Sequence, residues 1–283
     1  MQVEARAKLN LTLDILGKRP DGYHDLRMVM QSVALHDLLS VETGTGTGLR
    51  LSTNRSFLPS DERNLAAAAA LRFAEETGID LGGASIHIEK EIPVCAGLAG
   101  GSSDAAAVLR ALNALTGAGL SRKELGRIGA LVGSDVPYCV HGGTALAEGR
   151  GEALTPLDPL PFCWIVLCKP DFPIATPELF RRADRVRLRR RPDTAGLVAA
   201  LEAGDLEGVA RRLYNVFEDV LPPRKAAEIA AIKSVLLGHG ALGASMSGSG
   251  PTVFGIFQQE EAAMRAAEDL SWAYREVFLT QTV

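Results

Sequence analysis

Two glycine-rich stretches carry the residue types best suited to chemistry. In Gly97-Leu-Ala-Gly-Gly-Ser-Ser-Asp, three glycines let the backbone come close to a ligand. The helix that follows supplies unpaired N–H groups and the positive end of its dipole, which together suit an anion such as a phosphate group. The same turn could also serve only to join a strand to a helix, with Ser102 or Ser103 as the N-cap. It is not a Walker A loop, because no Gly-Lys-Ser/Thr follows, and it is not a dinucleotide fingerprint, because the glycine spacing differs. The second stretch, Ser245-Met-Ser-Gly-Ser-Gly-Pro-Thr, leaves room beside something bulky, or is a flexible turn with no ligand.

Single polar residues are less decisive. Asp135 follows a helical segment and precedes a proline, where a carboxylate caps a turn or projects into a cleft. Lys8 sits on an alternating strand and, read from its position, is more often a solvated strand charge than a catalytic residue. Asp21-Gly-Tyr-His offers Tyr23 and His24, which can stack on or hydrogen-bond a flat ring, or can cover a core edge. The five histidines lack metal-ligand spacing, so no structural metal is expected. The four cysteines form no Cys-x-x-Cys pair and read as small buried hydrophobes of a reducing compartment.

The elements that must position these groups follow from periodicity. Residues 2–16 alternate as a half-buried strand whose polar face carries Lys8 and Asn10, and 28–42 resume that rhythm after a turn. An alanine-rich helix is expected over 64–77, closed by Gly78, with a strand over 84–92. The glycine run from Gly97 then opens a helix whose apolar stripe holds Ala105, Val108, Leu109, Leu112 and Leu115. Another helix is expected over 121–132, then a hairpin-like Val140-His-Gly-Gly-Thr. The prolines in 155–161 mark a domain boundary before a strand over 162–168. Helices follow near 194–203, 205–214 and 226–237, then the second glycine loop, a last helix and a last strand.

The chain of 283 residues is 47% hydrophobic and 23% charged, the composition of a globular protein of one or two domains. A formal charge of -4 provides no global field for nucleic acid or anionic lipid, so neither a nucleic acid nor a membrane is expected as partner. The seven arginines in 181–191 lack interleaved aromatics and read as a solvated face. No signal-like or membrane-spanning run is visible, and a cytoplasmic location is expected.

Three motifs in order resemble those of the GHMP kinases, small-metabolite phosphotransferases. Pro93-Val-Cys-Ala-Gly-Leu-Ala-Gly-Gly-Ser-Ser-Asp-Ala-Ala resembles the central phosphate loop of that family, Ala5-Arg-Ala-Lys-Leu-Asn-Leu its first motif, and Gly243-Ala-Ser-Met-Ser-Gly-Ser-Gly-Pro-Thr-Val-Phe its third. The resemblance implies an α+β, two-domain GHMP kinase fold. Its N-terminal domain, 1–154, would bind ATP and be similar to domain 2 of ribosomal protein S5, with a left-handed crossover. Its C-terminal domain, 155–283, would be ferredoxin-like and contribute to substrate binding.

Further residues narrow the resemblance to members acting on a cytidine-linked substrate: Arg19-Pro-Asp-Gly-Tyr-His-Asp-Leu, Gly133-Ser-Asp-Val-Pro-Tyr and Ala175-Thr-Pro-Glu-Leu-Phe. It implies transfer of the ATP γ-phosphoryl group, with Mg2+ as cofactor, to the tertiary 2-hydroxyl of the small molecule 4-diphosphocytidyl-2-C-methyl-D-erythritol, in the non-mevalonate route to isoprenoid precursors. Asp135 would be the general base and Lys8 its partner. Pro93, Val94, Cys95, Ala96, Gly97, Leu98, Ala99, Gly100, Gly101, Ser102 and Ser103 would wrap the nucleotide phosphates, with Asn64, Leu65 and Lys90 completing the nucleotide site. Asn10, Tyr23, His24, Thr176, Phe180 and Gly248 would bind the acceptor, Tyr23 and Phe180 sandwiching cytosine and His24 bonding its edge. Ala99 stands where many members carry glycine. A monomer or weak homodimer is expected. Two alternatives remain at this point: a GHMP kinase for mevalonate derivatives, homoserine or a sugar, which would lack the cytosine set, and a non-catalytic nucleotide sensor, against which Lys8 and Asp135 argue.

Overall fold

A computed structural model describes residues 1–283. In chain order the elements are β1 (Gln2–Lys18), β2 (His24–Thr43), β3 (Leu49–Thr53), α1 (Leu65–Thr77), β4 (Ala84–Glu89), α2 (Gly100–Thr116), α3 (Arg122–Ala130), α4 (Val136–His141), β5 (Thr144–Gly149), β6 (Ala153–Pro156) and β7 (Trp164–Lys169). They continue as α5 (Thr176–Ala183), α6 (Thr194–Glu202), α7 (Leu206–Ala210), β8 (Tyr214–Asn215), a 3-10 turn at Val216–Val220, α8 (Pro223–Gly238), β9 (Gly243–Met246), β10 (Val253–Phe257), α9 (Glu260–Ser271) and β11 (Glu276–Gln281). They pack as two compact units that interleave along the sequence. The first holds Met1–Ala7, Leu35–Val94 and Ala99–Gly142, and the second holds Lys8–Ala34, Cys95–Leu98 and Gly143–Val283. Residues 154 and 155 both lie in the second unit.

In the first unit, β4 pairs antiparallel with the end of β2, from Leu38–Glu89 to Thr43–Ala84, and β3 runs parallel to β4. Leu39, Val41, Ile86 and Ile88 share a buried cluster with Ala66, Ala70 and Phe73 of α1 and Val108, Leu109 and Leu112 of α2. The alanines let α1 and α2 approach closely, which conserves packing density where larger side chains would not fit. Local chemistry sets the helix ends. Asn64 Oδ1 accepts from Ala66 N at 3.0 Å to start α1, and Gly78 closes it with φ 67°. Ser121 and Glu124 form a reciprocal capping box at the start of α3.

In the second unit, the first half of β2 pairs with β5, β5 with β6, and β8 lies parallel to β1 at Thr12 and Leu13. A separate sheet has the order β11-β7-β10-β9, with all neighbours antiparallel. Its chain order, β7-α8-β9-β10-α9-β11, is the ferredoxin-like βαββαβ arrangement. Every residue of β10 is buried. A Cβ at Gly255 would meet Leu236 of α8 at 3.2 Å, so glycine there is what lets helix and sheet approach.

Several expectations need correction. β1 is buried on both faces from Ala7 to Ile15, not half-buried, and Lys8 and Asn10 lie inside. The reason is tertiary: the second glycine-rich stretch covers the polar face, Ser247 Oγ accepting from Asn10 N at 3.2 Å. α2 begins at Gly100 with Ala99 as N-cap and no side-chain cap, so neither Ser102 nor Ser103 serves; Ser103 Oγ instead donates to Arg6 O at 2.6 Å. Val140 and His141 end α4 and are not part of a hairpin. Cys163 and Cys168 are buried, with burial pushing both thiols up to about 12, whereas Cys139 is half-buried and Cys95 is exposed on the phosphate loop. Arg181 and Arg182 belong to α5. Arg191 is anchored, donating to Asp14 Oδ1 and to Ile15 O, each at 2.6 Å.

Candidate active site

The loop after β4 is held in an uncommon backbone conformation. Cys95 (φ 54°) and Ala99 (φ 56°) are the two non-glycine residues of the chain with positive φ, and Gly97 between them has φ 79°. Each non-glycine residue in this region costs roughly 1–2 kcal/mol, a strain that persists only where surrounding structure imposes it. The result is a helix start, at Gly100, with no side chain over its first N–H groups. Those donors, together with the dipole of a 17-residue helix, fit an anionic group. In the same unit a Cβ at Gly101 would reach Leu65 Cδ1 at 3.4 Å, placing the α1 start, with Asn64 and Leu65, beside the α2 start.

The second glycine-rich stretch, residues 245–252, braces this loop within the second unit. Ser247 Oγ donates to Gly97 O at 3.0 Å and accepts from Asn10 N at 3.2 Å. Lys8 Nζ donates to Asn10 Oδ1 at 2.6 Å, and Lys8 N donates to Leu98 O at 3.1 Å. Neither glycine here tolerates a side chain: a Cβ at Gly97 would lie 2.2 Å from Ser247 O, and one at Gly248 would lie 3.0 Å from Gly97 O and 3.3 Å from Asn10 Oδ1. Asn215 fixes the loop from below, its Nδ2 donating to Met246 O and Gly248 O, each at 2.7 Å. Lys8, Asn10, Gly97 and Gly248 are therefore assembled by one hydrogen-bonded framework.

A second group of expected residues also lies in this unit. The His24 and Phe180 rings stack at 4.5 Å between centroids, 15° from parallel. Phe180 in turn meets Phe217 edge-on at 5.0 Å. His24 Nε2 lies 2.7 Å from Asp184 Oδ1, and Lys18 Nζ donates to the other oxygen at 2.8 Å. Lys18 and His24 together hold the Asp184 carboxyl below its usual value. Tyr23 is 55% exposed, with the Arg150 guanidinium 5.0 Å above its ring. His24 covers one face of Phe180, and Tyr23 stands apart with its ring in solvent. The hydroxyl of Thr176, the first residue of α5, is 2.7 Å from that of Ser249 in the second glycine-rich stretch.

Asp135 belongs to the first unit. It is the half-buried N-cap of α4 and makes no side-chain capping bond. Lys90 is buried in the same unit and its ammonium contacts Asp37 and Asp104. Asp37, Asn215 and Asp184 support the expected residues and lie outside the motifs, whereas Asp104 and Ser247 stand inside the two glycine motifs without a role assigned to them. Asp37, a lone carboxylate within the apolar run of β2, is the one with a visible signal, since a buried charge demands a partner. The others are set by contacts between residues far apart in the chain. Among the described residues no group of His, Cys, Asp or Glu is arranged to hold a metal ion.

The GHMP kinases N terminal domain model matches residues 64–143, and the GHMP kinases C terminal model matches residues 197–275. The 4-diphosphocytidyl-2-C-methyl-D-erythritol kinase of Alkaliphilus metalliredigens is 44% identical over 282 residues, covering 100% of this chain and 96% of its own. The enzyme of the same name from Syntrophomonas wolfei is 48% identical, with 98% and 96% covered. A crystal structure of 4-(cytidine 5'-diphospho)-2C-methyl-D-erythritol kinase superposes with TM-score 0.83 at 34% identity, covering both chains completely. Homoserine kinase from Cytophaga hutchinsonii, at 21% identity and TM-score 0.75, shares the fold. The chain belongs to the GHMP kinase family, and within it to the 4-diphosphocytidyl-2-C-methyl-D-erythritol kinases.

Proposed function

We infer that the chain transfers the γ-phosphoryl group of ATP to the 2-hydroxyl of 4-diphosphocytidyl-2-C-methyl-D-erythritol, giving the 2-phosphate in the methylerythritol phosphate route to isoprenoid precursors. The carrying observation is full-length identity to enzymes of that name, joined to a chain whose three glycine and strand motifs meet in one framework around Gly97. ATP would supply the phosphoryl group, and Mg2+ brought in with the nucleotide would offset the charge of its phosphates. The loop from Pro93 to Ser103 receives the phosphates through backbone N–H groups at the α2 start, with Asn64 and Leu65 flanking the nucleotide.

The acceptor is a tertiary alcohol, a poor nucleophile at neutral pH. We assign Asp135 as the base that takes its proton as the new P–O bond forms. The Lys8 ammonium, oriented by Asn10, offsets charge developing on the phosphoryl oxygens. His24, Phe180 and Tyr23 form the cytosine recognition set, with Thr176 and Gly248 lining the acceptor. The family-model spans, 64–143 and 197–275, lie on either side of residue 154, which supports an ATP-binding part before it and a later part that adds Thr176, Phe180 and Gly248 to the acceptor residues Asn10, Tyr23 and His24. The test is ADP release on a panel of acceptors. Release with the cytidyl substrate and none with mevalonate, homoserine or galactose supports the reading, and release with another acceptor alone refutes it.

A further inference from the structure

Lys90 is only 4% exposed and its ammonium is shared by two buried carboxylates. It donates to Asp104 Oδ2 at 2.7 Å and to Asp37 Oδ2. Asp37 Oδ1 accepts two backbone donors, Glu91 N at 2.6 Å and Ile92 N at 2.8 Å, immediately before the phosphate loop. Asp104 lies in the first turns of α2, immediately after that loop. The cluster thus grips both ends of the segment between Ile92 and Gly100. It also lies directly beneath the helix start, because a Cβ at Gly100 would stand 3.3 Å from Lys90 Nζ.

The charges do not balance. Two carboxylates face one ammonium, and Asp37 has three donors while Asp104 has one. Asp104 Oδ1 is buried with no hydrogen-bond partner. Such an oxygen is costly when charged, so the cluster favours a proton there. We propose that Lys90, Asp37 and Asp104 form a charge clamp that positions the nucleotide-phosphate loop and makes its affinity for polyphosphate depend on one proton within the clamp. This deepens the ATP-binding part of the function proposed above and rests on it.

Burial raises the Asp104 carboxyl to about 7, against the opposing effect of Lys90 and with the aid of Asp37. Those two are the charged groups acting on it. Among the helices packed against α2, α1 and α3 turn alanine, phenylalanine, leucine and isoleucine inward, and α4 brings Val136, Val140 and Cys139. Below neutrality the clamp is neutral. Above it, a surplus negative charge sits under the N–H groups that must receive phosphates, and repels them. Lys90 and its partners are positioning residues, acting on the nucleotide through the loop.

The experiment is titration of the full chain with the non-hydrolysable ATP analogue adenylyl imidodiphosphate and Mg2+ between pH 6 and pH 8.5, alongside steady-state kinetics. For the unaltered protein, affinity is expected to fall fivefold to tenfold across that range. Asp104→Asn, which keeps the Lys90–Asp37 pair, should remove most of that fall while leaving the KM for the acceptor unchanged. Ionisation of the nucleotide is common to both proteins and cancels in their ratio. Lys90→Met should weaken nucleotide binding more than tenfold. Should that variant not fold, Asp104→Asn still decides. Parallel pH profiles for the unaltered chain and Asp104→Asn would overturn the clamp. Normal nucleotide binding with the expected profiles, but no phosphorylated acceptor, would refute the proposed reaction and leave the clamp standing.

Discussion

Ser247 Oγ donates to Gly97 O at 3.0 Å while accepting from Asn10 N, which ties residues 237 positions apart into the wall of one site. The hydroxyl satisfies a buried N–H and a half-buried carbonyl at once. Ser247→Ala leaves both without that partner, at a cost of about 1–3 kcal/mol. Urea unfolding should register that loss together with a raised KM for ATP. Unchanged stability and kinetics would mean that the bridge is not needed to shape the loop.

Ala99 adopts a left-handed conformation that glycine enters without penalty. Against this, glycine adds unfolded-state entropy of roughly 0.4–1 kcal/mol. Ala99→Gly is therefore expected to give a net stabilisation on the order of 0.5–1 kcal/mol, seen as a higher urea midpoint with an unchanged slope. A lower midpoint would show that the loop's strain is carried elsewhere.

Asp135→Asn keeps the volume and the α4 start but cannot accept the acceptor's proton. Turnover should fall about 100- to 10,000-fold with thermal unfolding unchanged. Near-normal turnover would exclude Asp135 as the base.

Asp184 braces His24 against Phe180. Asp184→Asn weakens that brace by about 1 kcal/mol, which corresponds to roughly a threefold to tenfold rise in KM for the cytidyl substrate and none for ATP. The pH sense follows from Lys18 and His24 lowering this carboxyl. Its contribution to stability is present above the unfolded value near 3.8 and is lost as pH falls through the lower folded value. Equal shifts in both KM values would separate Asp184 from cytosine recognition.

Thiol chemistry should sort the cysteines. Burial raises Cys163 and Cys168 to about 12, so at pH 8 their reactive thiolate is scarce and shielded. Cys95 is exposed on the phosphate loop. Alkylation followed by peptide mass mapping should label Cys95 first, and ATP should slow it. Early labelling of Cys168 would contradict the packing of β7.

The helices carrying strong local signals were legible in the sequence. Asn64 and Gly78 bracket α1, and Ser121 with Glu124 starts α3, because capping is decided within a few residues. The α2 start was misread, since hydroxyl preference pointed to Ser102 or Ser103, whereas the loop's imposed geometry puts Ala99 there. Lys8 and Asn10 looked solvated because alternation reports two faces and cannot tell what covers the second. The two-residue β8 left no periodic trace, and the apolar face of α5 is only Leu179 and Ala183, one helical turn apart, too short a repeat to stand out. The partners Asp37, Asp104 and Asn215 act through contacts that spacing does not encode.

The central claim is phosphorylation of one hydroxyl, and phosphorus NMR of the product tests it most directly. Incubation with ATP, Mg2+ and 4-diphosphocytidyl-2-C-methyl-D-erythritol should yield a new phosphomonoester signal coupled to the quaternary carbon C2, with the diphosphate signals retained. A phosphate on another oxygen, or ATP bound with no new signal, would contradict the account.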